Sequence, residues 1–293
     1  TAPGIQDFQR MLRDIRTNQA RNTTETTTDV SAMQTERGMQ LMKTNEEIKQ
    51  SVRKEYTRVV AEATSCCTPG CCGSTGTEPG TSRKMNEQYE GVDSSIVATA
   101  DLGLGCGTPT AFAGLEEGMI VLDLGSGAGI DVFVAAQAVG PTGHVIGVDM
   151  TDAMLEKAER NRIKLGIRNA EFRKGEIEKL PVNSNSIDCI ISNCVINLVP
   201  DKQRAFAEMF RVLKNGGKFI VSDIVTTGTV PDTMRENMRL WADCISGAVD
   251  KEEYLQGVRD AGFHDVRILT ERAYEFSEPM PFGVFSITLE AVR

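Results

Sequence analysis

Eight cysteines in a chain of 293 residues, and the places where three of them fall, set the chemistry open to this protein. Cys106 lies in Gly105-Cys106-Gly107-Thr108-Pro109, just ahead of the first strand signal. Cys194 closes the apolar run Ile190-Ile191-Ser192-Asn193-Cys194, and Cys244 sits in Trp241-Ala242-Asp243-Cys244-Ile245-Ser246-Gly247. Brought together, three thiolates would form a soft ligand set suited to a thiophilic metalloid. Each also has a plainer reading, because a free cysteine is often buried as a small hydrophobe. That reading suits Cys189, inside the apolar stretch Ile187–Ile191, and it suits Cys244 taken alone. Cys106, among small residues that leave a sulfur accessible, reads equally as structural or functional. Cys194 differs, since the carboxyl end of a strand in an open α/β sheet faces the ligand crevice. The pairs Cys66-Cys67 and Cys71-Cys72 depart from the usual zinc-ligand spacing, with only His144 and His264 to add ligands. Thiol exchange suits adjacent cysteines on a loop at least as well.

A second constellation is built on glycine. Val121-Leu122-Asp123-Leu124-Gly125-Ser126-Gly127-Ala128-Gly129-Ile130-Asp131 reads as a buried strand, a glycine turn and a helix start, and lets the backbone approach a ligand closely. A dinucleotide fingerprint needs its third glycine three positions after the second. Ile130 stands there instead, so the loop is a poor pyrophosphate site. Its acid-x-Gly-x-Gly-x-Gly form resembles the first motif of class I S-adenosylmethionine-dependent methyltransferases. Asp149, at the end of Val145-Ile146-Gly147-Val148-Asp149-Met150, is placed to accept two ribose hydroxyls. In methyltransferases of this class the segment after the third strand holds the adenine, with an acidic side chain toward its exocyclic amine. Here that segment is Gly175-Glu176-Ile177-Glu178, with Glu176 at the acidic position and Ile177 beside it. Asp123, Gly125 and Gly127 would line the amino-acid end of such a cofactor. Met154 and Leu155 are candidates for its adenine face, with helix core the plainer role.

The elements that must position these residues alternate. Strands are expected at Met119–Leu124, His144–Asp149, Ala170–Lys174, Ile187–Ser192 and Lys218–Ser222. Helices fit at about Asp131–Val139, Asp152–Leu165 and Lys202–Leu213. Such alternation predicts a doubly wound, mostly parallel sheet. His264–Leu269 and Val284–Val292 read as a hairpin closing its edge. Upstream, Asn45 can cap a helix with Ile48, Val52, Tyr56, Val59 and Val60 on one face, read as a packing helix. Residues 1–44 are polar and read as a mobile arm; 45–117 hold the helix and the cysteine-rich loop, 118–224 the sheet domain, and 225–293 the closing part. A net charge of −9 argues against nucleic-acid or anionic-membrane partners. No apolar run is long enough for a bilayer span. The start, Thr1-Ala2-Pro3-Gly4, has no basic segment followed by an apolar one, so no signal peptide is expected. Cysteines used this way favour a reducing, cytoplasmic setting.

With these segments assembled, residues 48 to 293 resemble an arsenite S-adenosylmethionine methyltransferase. The marks are Ser51-Val52-Arg53-Lys54-Glu55-Tyr56, Gly105-Cys106-Gly107-Thr108-Pro109, the turn at 123–131, Ser192-Asn193-Cys194-Val195-Ile196-Asn197-Leu198 and Cys244-Ile245-Ser246-Gly247-Ala248. The resemblance implies a class I, Rossmann-like seven-stranded sheet with a small arsenic-binding C-terminal part. It implies arsenic-binding thiols at Cys106, Cys194 and Cys244, and S-adenosylmethionine bound by Asp123, Gly125, Gly127, Asp149, Met150, Glu176, Ile177 and Asn193. The substrate would be arsenite or methylarsenite, with thioredoxin or glutathione as reductant. A fourth cysteine serves the redox cycle in this family. The double pair here departs from the single-cysteine version, leaving Cys71 or Cys72 as candidates, with Cys72 the one assigned. The chain also stops soon after its last strand, whereas longer members continue. Two rivals remain at this stage: a class I methyltransferase acting on a small thiol, selenide or organic nucleophile, and a non-enzymatic metalloid-sequestering protein.

Overall fold

The computed structural model describes residues 44–64, 89, 92–228, 230, 247–274 and 282–293. The expected polar arm before Thr44, the four cysteines at 66–72 and Cys244 lie outside the described residues.

Helix α1 (Asn45–Thr64) starts one residue earlier than a cap at Asn45 would place it. Thr44, not Asn45, is the cap: its Oγ1 accepts the Glu47 N–H at 3.3 Å, and Glu47 Oε2 accepts the Thr44 N–H at 2.7 Å. This reciprocal pair satisfies two of the donors that a helix start leaves unpaired. Two short helices follow, α2 (Ser94–Ala100) and α3 (Pro109–Phe112).

The sheet comprises β1 (Ile120–Leu124), β2 (His144–Asp149), β3 (Ala170–Lys174), β4 (Ile187–Asn193), β5 (Leu213–Thr227), β6 (His264–Ala273) and β7 (Gly283–Val292). Their order is β3-β2-β1-β4-β5-β7-β6. The first five pair in parallel, and β7 runs antiparallel to both β5 and β6. The sheet is therefore mostly parallel, with the last two strands closing one edge as their pattern predicts.

Helices α4 (Ile130–Ala138), α5 (Asp152–Leu165), α6 (Lys202–Val212) and α7 (Lys251–Asp260) cover its faces. β1 and β4 are apolar on both sides, as strands buried on both faces must be. Leu122 and Ile190 enter one core with Phe206 and Tyr254, while Val121 and Ile191 enter the other with Val132 and Phe133. The order reverses between β1 and β4, which opens a crevice beyond their carboxyl ends.

β5 departs from expectation. It runs well past Ser222, because β7 pairs with it from Lys218↔Val292 to Thr227↔Gly283. Asp223 and Thr226 interrupt the apolar pattern and hide that extension, although both are fully buried. Among the described residues no helix is long and apolar enough to cross a membrane.

Candidate active site

The turn between β1 and α4 is shaped by left-handed glycines. Gly125 (φ 66°) and Gly129 (φ 95°) are also closely packed: an added Cβ would lie 2.5 Å from Val195 at the first and 2.7 Å from Phe133 at the second. Gly127 (φ 50°) is different, since a Cβ there would meet nothing within 4 Å and would stand in the crevice. Its N–H donates to Asp149 Oδ2 at 3.0 Å, while Thr151 N–H donates to Oδ1 at 2.8 Å. The carboxylate of β2 is thus fixed beside the glycine turn.

Asp123, Gly125, Gly127, Asp149, Met150, Glu176, Ile177 and Asn193 all line one pocket, and so does Cys194. Its non-atom space is ≈ 1070 Å³ with the open mouth included, ample for a nucleoside-sized ligand. Met154 lines it too, whereas Leu155 does not. Ser126 Oγ is buried on its wall without a hydrogen-bond partner.

Burial is the first cause of the charge state here. Asp123 is pushed well above the ordinary carboxylate range by desolvation, then by Asp131 and Asp149. Asp131 is raised to about 6 by burial, against hydrogen bonds from Asn193, Tyr89 and Thr110. Asp149 is also raised by burial, opposed by its N–H donors. A ligand with a cationic end would relieve this repulsion, and one with a diol would find an acceptor in Asp149. The donor set, the open face at Gly127 and the unpaired Ser126 hydroxyl all fit S-adenosylmethionine.

Glu176 lines the pocket, but its carboxylate is already held. Lys49 Nζ donates to it at 2.7 Å, the Arg53 guanidinium bonds it closely, and Lys49 also pairs with Glu178 at 2.9 Å. The Lys49 hydrogen bond lowers the Glu176 pKa. Burial opposes the charge on Lys49, yet Glu176 and Glu178 outweigh it and raise its pKa. Helix α1, expected only to pack, therefore forms a pocket wall through Lys49, Val52 and Tyr56.

The thiols divide by environment. Cys189 is buried within β4 and its thiol is pushed up to about 12 by desolvation, which suits the inert role expected. Cys194 is 6% exposed, sits at φ 61° just beyond β4, and donates its N–H to Ser222 O at 2.7 Å. A non-glycine residue held left-handed at a pocket wall is a strained position of the kind concentrated at functional sites. Cys106 is half-buried; its N–H donates to Asn193 Oδ1 at 3.0 Å and its carbonyl accepts from Ser286 Oγ at 2.8 Å. Both join one apolar cluster with Val52, Leu198, Ile224 and Phe282. Ala248, the last residue of the Cys-Ile-Ser-Gly-Ala run, packs in the same cluster. Among the described residues no group of three or more His, Cys, Asp or Glu is arranged to hold a metal ion. Cys244, expected as the third thiol, and Cys72, the assigned redox thiol, lie outside those residues.

Sequence reasoning missed Asp131, which Tyr89 Oη and Thr110 Oγ1 approach at 3.3 and 3.5 Å. It also missed Asp223, raised to about 7 by burial against the pull of Lys202. Asp223 Oδ2 accepts from Tyr254 Oη at 3.1 Å and from Asn197 N–H at 3.0 Å. Burial, then Asp223, and then Cys106 and Cys194 raise the Tyr254 pKa, so this phenol feels both thiols.

A family model described as a methyltransferase domain matches residues 115–262. Arsenite methyltransferase of Halobacterium salinarum is 44% identical over 232 residues, covering 76% of this chain and 59% of that protein. Arsenite methyltransferase of Homo sapiens is 36% identical over 233 residues, covering 76% and 60%. The crystal structure of an arsenic(III) S-adenosylmethionine methyltransferase from Chlamydomonas reinhardtii is similar with a TM-score of 0.62. It is 36% identical and covers 71% of this chain and 73% of that one. The chain spans about 60% of the length of these two curated relatives.

Proposed function

The chain belongs to the arsenite methyltransferase family, and from that premise we propose that it methylates trivalent arsenic, arsenite or methylarsenite, with S-adenosylmethionine as donor. The observation that carries the reading is the meeting of two sets of residues. Cys106 and Cys194 share one apolar cluster, and Cys194 also lines the pocket of Asp123, Gly127 and Asp149.

In this reading Asp149 accepts the ribose hydroxyls, Met150 and Ile177 flank the adenine, and Gly125, Gly127 and Asp123 receive the amino-acid end. Glu176 acts through its bonds to Lys49 and Arg53, holding α1 over the adenine side. When bound, the cofactor supplies an electrophilic methyl on a cationic sulfur. Cys106, Cys194 and Cys244 exchange with the three hydroxyls of arsenite, and the three S–H protons leave with those hydroxyls as water. Arsenic keeps its lone pair, so no side chain has to remove a proton from the nucleophile. Orientation then supplies most of the advantage, because thiols and pocket hold the two reacting centres together. Ala248 packs in the same cluster as Cys194, and Cys244 precedes Ala248 by four peptide units, roughly 14 Å of chain at most.

Methyl transfer raises arsenic from the trivalent to the pentavalent state. Two thiolates, with Cys72 the assigned member, return two electrons as they join in a disulfide, which thioredoxin or glutathione then reduces. Such a cycle needs a reducing, cytoplasmic setting, and a net charge of −9 is unsuited to nucleic acid.

Arsenic speciation after incubation with arsenite, S-adenosylmethionine and a thiol tests this directly. Methylated arsenicals are expected from the wild-type chain. Cys194→Ser and Cys244→Ser should lose the first methylation while keeping cofactor affinity. Loss of one thiol should affect methylarsenite less, since it needs fewer sulfurs. Full arsenite turnover by either variant would remove the thiol cage from the account.

A further inference from the structure

We infer that Asn193 is a positioning residue that holds the Cys106 thiol in register with Cys194, so that trivalent arsenic meets a prepared pair; this rests on the arsenic reading above. The argument starts from the amide's hydrogen bonds. Its Oδ1 accepts the N–H of Cys106 at 3.0 Å and of Gly107 at 3.2 Å. Its Nδ2 donates to Gly107 O at 2.7 Å and to Asp131 Oδ2 at 3.2 Å. The surroundings fix this orientation, because the flipped amide would set donors against donors and a carbonyl against a carboxylate. Aspartate has the same shape but no donor, and would face both Gly107 O and Asp131.

Asn193 is the last residue of β4 and the immediate neighbour of Cys194. Cys194 is itself pinned by its N–H to Ser222 O and its left-handed φ. The offset between the two thiol-bearing backbones therefore runs through one peptide unit and one side-chain amide.

The glycines beside Cys106 make the same point independently. A Cβ at Gly105 would lie 2.6 Å from Asn193 Nδ2, and one at Gly107 would lie 2.4 Å from Ser222 Oγ. The backbone around Cys106 lies directly on these two side chains, and only glycine permits that approach. Asp131, the third partner residue, lies in the first turn of α4 just after the glycine turn, so the same amide ties the thiol segment to the cofactor turn. All four bonds are to protein, so the amide serves the thiols through the fold. A pair whose spacing is set before binding loses less freedom on capturing arsenic.

The test uses the full chain with Cys66, Cys67, Cys71 and Cys72 replaced by serine, titrated calorimetrically with arsenite and separately with S-adenosylhomocysteine. Asn193→Asp and Asn193→Ala should weaken arsenite binding at least about tenfold, as the Cys106 and Gly107 segment loses its fixed partner. An unchanged circular dichroism spectrum and a cooperative urea transition report that the variants fold, and S-adenosylhomocysteine affinity should fall less than arsenite affinity. Gly105→Ala, which pushes the amide from the other side, should weaken arsenite in the same sense. In a Cys106→Ser background the Asn193 substitutions should add less than about twofold, because the residue acts through that thiol. Wild-type arsenite affinity in Asn193→Asp and Gly105→Ala, or an equal loss with Cys106 already removed, overturns the inference alone. Wild-type arsenite affinity in Cys106→Ser would instead bring down the arsenic reading on which it stands.

Discussion

Replacing Gly127 by alanine separates the cost of a backbone shape from the cost of a blocked ligand. The residue has φ 50°, and an added Cβ would meet no heavy atom within 4 Å. The folded chain then suffers only the left-handed conformation of a residue with a Cβ, about 1 kcal/mol. For a domain of this size that lowers the unfolding midpoint by roughly 2–4 °C. The new methyl stands in the crevice, where it should cut S-adenosylhomocysteine affinity by about tenfold or more. Gly125→Ala is the contrast: φ is 66° and its Cβ would lie 2.5 Å from Val195. Strain and overpacking then add to about 3 kcal/mol, and the fold itself suffers. Urea unfolding with and without S-adenosylhomocysteine, plus calorimetric titration, reads both effects. Unchanged ligand affinity in Gly127→Ala would refute the placement of the cofactor against this turn. Equal destabilisation by the two variants would refute the packing argument.

Three further outcomes follow from other parts of the site. Lys49→Ala should cost about 1 kcal/mol, since the Lys49–Glu176–Glu178 network is half-buried and ties α1 to the pocket. Glu176 has a lowered pKa, so its share of that stability is present above the ordinary value of 4.5 and lost as pH falls through the lowered one. Denaturant unfolding of both chains at pH 7 and pH 3 should show the difference shrinking in acid. Asp223 has the opposite sign: raised from 3.8 to about 7, it binds a proton more readily in the folded chain, so stability falls as pH rises across that window. Asp223→Asn should remove that slope, and parallel pH–stability curves for the two proteins would contradict it. Cys194→Gly should keep its unfolding free energy within about 1 kcal/mol, because relief of the left-handed strain offsets the lost side chain. It should nonetheless abolish arsenite methylation; a fully active glycine variant would show that the thiol is not used.

How much of this was legible in the sequence depends on distance along the chain. α5, β2 and β3 begin and end where apolar spacing and flanking turns place them, down to Gly166 in a left-handed cap after Leu165. The glycine turn and Asp149 announce their convergence because each sits at the end of a strongly apolar strand. β5 does not, since its ladder with β7 supplies an order that Asp223 and Thr226 conceal. The bond of Asn193 to Asp131 spans 62 positions, and that of Tyr254 to Asp223 spans 31. No local pattern reports such pairings; only the sheet order brings them together. Asn193 illustrates this well. Its place at the end of β4 marks it for the pocket, yet its four hydrogen bonds go to the Cys106 segment and α4. Glu176 was readable as an acid near the adenine side, but not as the anchor of a helix that begins far upstream.

The central claim is that one arsenic atom is held by sulfur from three distant stretches. Arsenic X-ray absorption of the arsenite-loaded chain, with Cys66, Cys67, Cys71 and Cys72 replaced by serine, measures that coordination without turnover. Three sulfur neighbours and no oxygen are expected, falling to two sulfurs when Cys106, Cys194 or Cys244 is changed to serine. An oxygen-dominated shell in the parent protein, or a three-sulfur shell that survives each of these substitutions, would contradict it.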